Sequence, residues 1–249
     1  MRPIPNEQHN IEIHENKKAW DSKPLLRKIY FEFYNRIKQK IDYTIPGSLV
    51  ELGSGLGNIK HVIPDVITTD IFPNPWIDKV ESAYNLSFKD HSVANLILFD
   101  VFHHIEYPLA ALKEFNRVLT QGGRIIIFDP DMSVFGMFVY GALHHEPVGV
   151  FKKINHTIPD KKALIETGYY AAQGNANRFF RNHNINKLED WEMISRERFS
   201  DLSYVLSGGY GKPAMYPEKW LGPIKKTEKI LNYLPFLFST RMMVVLKKI

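Results

Sequence analysis

The residues best suited to chemistry form a glycine-rich turn after a short apolar run. Residues 49–52 predict a buried parallel strand, and Gly53, Gly55 and Gly57 follow it, with Glu51 just before them. Glycines tolerate positive φ and let a ligand approach the backbone. We expect a helix after the turn, with its free N–H groups and positive dipole end facing a ligand. The pattern predicts a small-molecule site at the carboxyl end of a central strand.

A second acidic residue, Asp70, ends the next β-branched run at residues 66–71. It stands about 20 residues beyond the glycine turn, where a carboxylate can accept hydrogen bonds from the ribose hydroxyls of a nucleoside. Ile71 is expected to flank the adenine. Several cofactors carry adenosine, so Asp70 alone leaves the ligand open. The dinucleotide fingerprint would require a glycine where Asn58 stands, which weakens the nicotinamide alternative.

Three motifs, taken together, resemble the pattern of one family. An acidic-x-Gly-x-Gly-x-Gly pattern occupies residues 51–57, the pair His103-His104 precedes Pro108, and the turn Gly122-Gly123 precedes an apolar run. In this order and spacing, residues 49–130 resemble the class I S-adenosylmethionine (SAM)-dependent methyltransferases, in particular the ubiquinone and menaquinone methyltransferase-like group. The resemblance implies SAM as cofactor and S-adenosylhomocysteine as product.

The resemblance also implies a fold and a set of cofactor-binding residues. The expected fold is α/β, with a Rossmann-like, doubly wound sheet of seven strands in the order 3-2-1-4-5-7-6 and strand 7 antiparallel. The residues expected to bind the cofactor are Glu51, Gly53, Ser54, Gly55, Gly57, Asp70, Ile71, Ser82, Ala83, Phe99 and Asp100. Ser82 stands where the family often has an aspartate that contacts adenine, and this departure indicates a divergent member.

The chain of 249 residues fits a single domain with elaborations. We expect a helical leader or lid at residues 1–46, a SAM-binding core at 47–131, a cap at 132–200 and the final strands at 201–249. Strand 6 is predicted at residues 202–206. The leader repeats apolar and aromatic residues at spacings of three and four, which predicts an amphipathic helix. It can either pack on the sheet or close over the cofactor.

Composition limits the function classes. The chain has no cysteine, which excludes disulfides, thiolate metal sites and cysteine nucleophiles. Its net charge of +5 is spread along the chain and is interpreted first as a solvated surface.

The amino-terminal residues lack the apolar core of a signal peptide, and no run is long enough to span a bilayer, so a cytoplasmic location is expected. Residues 216–238 are apolar with lysines, which leaves peripheral membrane contact open beside a core helix.

Histidines provide the candidates for acid–base chemistry. We predict catalytic roles for His104, His144 and His145, against structural roles as the alternative. The stretches 144–147 and 207–210 also resemble methyltransferases associated with bacterial surface-polysaccharide synthesis. Adjacent residues do not converge on one point of a helix or strand, so we expect no metal site.

The class of methyl acceptor is limited mainly by motifs that the sequence lacks. No Asn/Asp-Pro-Pro-aromatic motif follows strand 4 and no RNA-binding module is visible, which disfavours nucleic acid. An aromatic cap favours a small-molecule, glycosyl or lipid-linked acceptor. Two alternatives remain, a nicotinamide-dependent Rossmann oxidoreductase and a non-catalytic SAM-binding protein. The oligomeric state is open.

Overall fold

The computed structural model describes residues 6–143, 147–155, 159–160, 170–180 and 188–249. Its centre is one seven-stranded sheet in the order β3-β2-β1-β4-β5-β7-β6. The strands are β1 (Ser48–Leu52), β2 (Ile67–Asp70), β3 (Lys79–Val80), β4 (Val93–Phe99), β5 (Leu119–Pro130), β6 (Trp191–Phe199) and β7 (Arg241–Lys248). Strands β1 to β5 run parallel, and β7 pairs antiparallel with both β5 and β6. The predicted fold class and strand order are confirmed.

Helices cover both faces of this sheet. They are α1 (Asn6–Ser22), α2 (Pro24–Lys38), α3 (Pro108–Val118), α4 (Val134–Phe138), α5 (Asn175–Phe179), α6 (Leu202–Leu206), α7 (Leu221–Leu231) and α8 (Pro235–Phe238). Short 3₁₀ turns occupy Asn58–His61, Phe102–His104 and Glu218–Trp220, and a π-helical turn, Val139–Leu143, follows α4. Among the described residues, no helix is long and apolar enough to cross a membrane.

The core forms on both sides of the sheet because side chains alternate along each strand. On β4, Leu96 and Leu98 face a cluster built with α3 and α5. The intervening Ile97 and Phe99 face a second cluster, built with the leader helices α1 and α2. The central strands are therefore buried on both faces, as their unbroken apolar runs predict.

The leader is two helices rather than one. Lys23 separates them in an extended conformation typical of a residue before proline, and Pro24 begins α2. Helix α2 buries an aromatic-rich face against the second cluster; the residues on it are Leu25, Leu26, Ile29, Tyr30, Phe33, Tyr34 and Ile37.

Two elements differ from the sequence predictions. No α-helix follows the glycine turn; the segment Asn58–His61 is a single 3₁₀ turn. Few residues separate the turn from Pro64, and a proline cannot continue a helix because its ring clashes with the preceding turn. The expected helix dipole therefore does not exist at this site.

The prediction of strand 6 is also wrong. Leu202–Leu206 is helix α6, and β6 is Trp191–Phe199, inside the predicted cap. A short apolar run fits a helix or a strand equally well by periodicity. The true strand lies at the sheet edge, where only Trp191 and Phe199 at its ends are buried, so its sequence alternates poorly.

Candidate functional site

A cavity of about 220 Å³ opens where the glycine turn leaves β1. Its lining residues are Ile13, Asn16, Tyr30, Tyr34, Glu51, Gly53, Ser54, Gly55, Leu56, Asn58, Phe99, Asp100 and Tyr210. The lining combines the glycine turn and Glu51 with the aromatic rings of Tyr30, Tyr34, Phe99 and Tyr210, which we call the aromatic wall. The carboxyl ends of β1 and β4 thus meet at one cavity, as expected for an open α/β sheet.

The glycine turn leaves room for a ligand at its middle glycine. Gly55 has a φ of +55°, and a Cβ atom built there would meet nothing within 4 Å. Gly57 also has positive φ, but its added Cβ would lie 2.5 Å from the carbonyl oxygen of Trp76. Gly57 is therefore required by packing, whereas Gly55 borders open space at the cavity.

Glu51 has a buried carboxyl group, and one of its oxygens lacks a hydrogen-bond partner. It is 3% exposed, and its Oε2 atom has no hydrogen-bond partner. Burial raises the pKa of Glu51 to about 8, against a hydrogen bond with Ser54 that lowers it, and the negative charge of Asp70 raises it further. A cation placed in the cavity would stabilise the ionised form of this carboxyl group.

Asp70 lies behind the glycine turn rather than on the cavity wall. Its Oδ2 atom accepts a hydrogen bond from the N–H of Gly55 at 2.9 Å, and Oδ1 accepts one from the N–H of Phe72 at 3.2 Å. Each carboxylate oxygen has a second lone pair for a further donor. Ile71, the next residue, is largely exposed.

Asp100 joins the cavity to the antiparallel side of the sheet. It adopts a φ of +56°, unusual for a residue with a side chain, and its N–H donates to the carbonyl oxygen of Phe128. Its carboxylate forms an ion pair with the buried Arg241 of β7. Burial disfavours the charged guanidinium, but Asp100 and the nearby tyrosines outweigh it and raise the pKa of Arg241.

The aromatic wall comes from parts of the chain distant in sequence. Tyr30 and Tyr34 belong to α2, and Tyr210 lies in the turn after α6; the Tyr30 and Tyr210 rings are 5.3 Å apart between centroids. Burial raises the pKa of all three phenols, so they stay protonated at neutral pH and act as donors rather than bases. Sequence reasoning identified the apolar stripe of the leader but did not assign these tyrosines to the site.

Lys23 fixes the leader to the turn that carries Tyr210. Its Nζ atom donates to the carbonyl oxygens of Gly209, Tyr210 and Lys212 at 2.8, 3.0 and 2.8 Å. The leader therefore packs on the sheet, and its residues Ile13, Asn16, Tyr30 and Tyr34 supply part of the cavity lining. A role as a lid over the cofactor stays a prediction.

The remaining predicted residues lie elsewhere. Ser82 and Ala83 are in the loop after β3, where the Ser82 Oγ accepts from the N–H of Tyr84, and neither lines the cavity. His104 also stays outside the cavity lining; its Nδ1 atom lies 2.9 Å from the carbonyl oxygen of Tyr170. His144, His145 and Glu146 lie outside the described residues.

Comparison with known proteins identifies the core of the chain. Residues 50–127 match the family model of a methyltransferase domain. This core is a class I SAM-dependent methyltransferase domain. Its cofactor is SAM and its activity is methyl transfer. The unpartnered Glu51 oxygen and the open side of Gly55 are compatible with this cofactor. The match does not extend to the ubiquinone and menaquinone group, which stays a prediction.

Solved structures agree on the fold. A methyltransferase solved in complex with the Trm112 methyltransferase activator of Haloferax volcanii is 13% identical, with a TM-score of 0.54 over 98% of this chain and 96% of that chain. A SAM-dependent methyltransferase of Thermotoga maritima is 14% identical, with a TM-score of 0.52 over 95% and 98% of the two chains. No curated protein matches this chain.

Proposed function

We propose that the protein transfers the methyl group of SAM to a hydroxyl group of a small-molecule, glycosyl or lipid-linked acceptor, with a glycosyl acceptor favoured. The observation that supports this is the aromatic wall, which lines the same cavity as Asp100 and the glycine turn. Aromatic rings offer flat apolar faces, and a few placed polar groups orient a ligand, the combination usual in small-molecule sites.

In this proposal the cofactor lies against the glycine turn. Glu51 faces its positively charged end, Asp70 accepts hydrogen bonds from its ribose, and Ile71, Ser82 and Ala83 lie on the adenine side. Gly53, Ser54, Gly55 and Gly57 form the turn around it, and Phe99 supports the methionine side. SAM supplies a methyl group already activated by its sulfonium, so alignment of the acceptor can provide much of the acceleration, with effective molarities of about 10⁵–10⁸ M for well-oriented pairs.

Asp100 is proposed to orient the acceptor. Its carboxylate forms an ion pair with Arg241, and a carboxylate oxygen accepts a hydrogen bond from an acceptor hydroxyl. General-base roles for His104, His144 and His145 remain predictions. The described carboxyl groups at the cavity, Glu51 and Asp100, are further candidates because they line it.

The test is formation of S-adenosylhomocysteine and of a methylated product with a panel of acceptors. The panel contains free oligosaccharides, nucleotide sugars, isoprenyl-phosphate-linked sugars, a short peptide and an RNA oligomer. We expect turnover with a hydroxyl-bearing glycosyl acceptor, and lower turnover with unchanged SAM affinity for Asp100→Asn. Asp65→Asn, at an exposed position, is the matched control and should be fully active. Turnover on the peptide or RNA alone would contradict the proposal.

A further inference from the structure

An exposed apolar surface lies beside the active-site edge of the sheet. It is formed by helix α4 and by the segment from the end of α7 through α8, and we call it the α4–α8 surface. Its exposed apolar residues are Val134, Phe138, Ile230, Tyr233, Leu234 and Phe236. Tyr233 is 85% exposed and Ile230 is 69% exposed, which is unusual for large side chains clustered in two short segments.

The two segments form one surface because they are fixed to each other. Ser133, which caps α4, donates from its Oγ to the carbonyl oxygens of Leu237 and Ser239 at 3.1 and 2.6 Å. The turn between α7 and α8 is held by backbone hydrogen bonds from the N–H of Tyr233 to the carbonyl of Ile230 and from Phe238 to Leu234. The apolar side chains are thus presented by a defined backbone.

Positive charge accompanies this surface. Lys226 and Lys229 are exposed on α7, and the helical spacing of residues 226, 229 and 230 places both lysines on the same side of the helix as Ile230. Tyr233 lies in the turn that follows this helix. The third lysine of this helix, Lys225, is instead held in ion pairs with Glu32 and Glu228. Exposed apolar and aromatic residues next to lysines are the composition of segments that lie in the interface of an anionic bilayer.

The position of the surface relates it to the site. Helix α4 begins just after β5 ends, and α8 ends just before β7 begins, where Pro130 pairs with Arg241. Arg241 in turn pairs with Asp100 at the cavity. The surface therefore adjoins the edge of the sheet at which acceptors are expected to enter.

We propose that the α4–α8 surface docks on an anionic lipid bilayer, with Phe138, Tyr233 and Phe236 entering the interface and Lys226 and Lys229 facing the lipid headgroups. Docking would bring a lipid-linked acceptor to the carboxyl edge of the sheet. This placement of the acceptor depends on the proposed function, whereas the docking itself does not.

The experiment measures co-sedimentation of the full chain with vesicles, in the absence of cofactor and acceptor. One vesicle contains phosphatidylcholine alone, and the other contains phosphatidylcholine mixed with the anionic lipid phosphatidylglycerol. We expect binding to the anionic vesicles that declines with added salt, and much weaker binding to the neutral ones.

Two double variants test the surface. Lys226→Gln/Lys229→Gln should weaken binding to anionic vesicles on the order of 10-fold or more, because each lysine near such a surface contributes to attraction. Tyr233→Ser/Phe236→Ser should weaken binding to a similar degree. The matched controls are Lys89→Gln/Lys113→Gln and Tyr43→Ser, exposed positions away from the surface, which should bind as the wild type does. Circular dichroism and thermal melting verify that every variant folds.

The outcomes separate clearly. Absence of wild-type binding to anionic vesicles, or equal binding by the surface variants and the controls, overturns the proposal. Light scattering that shows a dimer lost in Tyr233→Ser/Phe236→Ser, without vesicle binding, would assign the surface to a second copy of the chain and also overturn it. Because no methyl transfer is measured, failure of docking is distinguishable from failure of the proposed function.

Discussion

Two buried carboxyl groups at the same edge of the sheet have opposite surroundings. Glu51, at the end of β1, faces the cavity with one oxygen unpartnered. Asp131, just after β5, is fully buried and is bound by Asn177, Arg198 and Ser239. The partners of Asp131 come from α5, β6 and the segment before β7, so this carboxylate joins elements of the fold. The comparison distinguishes a group that holds the protein together from one left available for a ligand.

The largest effect is expected from removing the carboxylate of Asp131, which is bound by three side chains. Asp131→Ala should lower the free energy of unfolding by about 4 kcal/mol, because it leaves Arg198 without its buried partner and removes two further hydrogen bonds. Urea denaturation measures this. Asp131→Asn, which keeps the size and one acceptor, should lose less. A loss below about 1 kcal/mol for the alanine variant would show that the network is not structural.

The pH dependence of stability should come from the carboxyl group of Glu51. The pKa of Glu51 is about 8 in the folded chain and near its ordinary value when unfolded, so the folded state holds the extra proton. The stabilisation this provides is fully present below the unfolded pKa and is lost as pH rises through about 8. Relative to Glu51→Gln, the wild type should therefore lose about 1 kcal/mol of unfolding free energy for each pH unit between pH 5 and pH 8.

Urea denaturation of both proteins at several pH values measures this difference. The same pair of proteins tests ligand binding: the ratio of wild-type to variant SAM affinity should rise with pH towards about 8, since the cationic ligand binds the ionised carboxylate more tightly. Taking the ratio cancels ionisation of the ligand itself. Parallel stability curves and a constant affinity ratio would mean that Glu51 is not the titrating group.

Sequence patterns predicted the surroundings of Glu51 better than those of Asp131. The strands β1, β4 and β5 were predictable because each contains a continuous apolar run, and in β1 and β5 a glycine motif adjoins that run; both are local signals. Residues 191–199 gave no such signal, since an edge strand buries few of its side chains, and the apolar residues 202–206 suggested a strand although they form a helix. The partners of Asp131 therefore could not be placed.

Within the candidate site, too, sequence motifs predicted some residues and missed others. Glu51, Gly55 and Asp100 could be proposed from motif positions, because they lie at strand ends or on the turn itself. Tyr30 lies at the cavity because α2 packs on the sheet, and Tyr210 lies there from the turn after α6, so the wall depends on contacts between residues far apart in sequence. His104 has the residue type for a base, yet its position in the Phe102–His104 turn directs it to the carbonyl of Tyr170. Residue type alone could not predict that contact.

A smaller effect is expected at the ribose position of the proposed cofactor site. Asp70→Ala should weaken SAM binding by roughly 2 kcal/mol, because hydrogen bonds to a carboxylate contribute about 1.5–3 kcal/mol each. The variant also removes the acceptor of the Gly55 N–H, which shapes the turn. Calorimetric titration with SAM and S-adenosylhomocysteine measures the change. Asp65→Asn serves as the exposed control, and unchanged affinity in Asp70→Ala would remove Asp70 from the site.

The smallest effect should come from loosening the leader without touching the cavity wall. Lys23→Met removes three hydrogen bonds to the 209–212 turn, and because Lys23 is partly exposed we expect a stability loss of only about 1 kcal/mol. SAM dissociation, followed by stopped-flow fluorescence, should become several-fold faster, since Tyr210 would be less firmly held at the cavity proposed to bind it. Lys28→Met, on α2 of the same leader, removes an exposed ion pair with Glu218 and should leave the dissociation rate unchanged. If both variants release SAM at the wild-type rate, the leader covers the cavity without controlling it, and closure would have to depend on other parts of the wall.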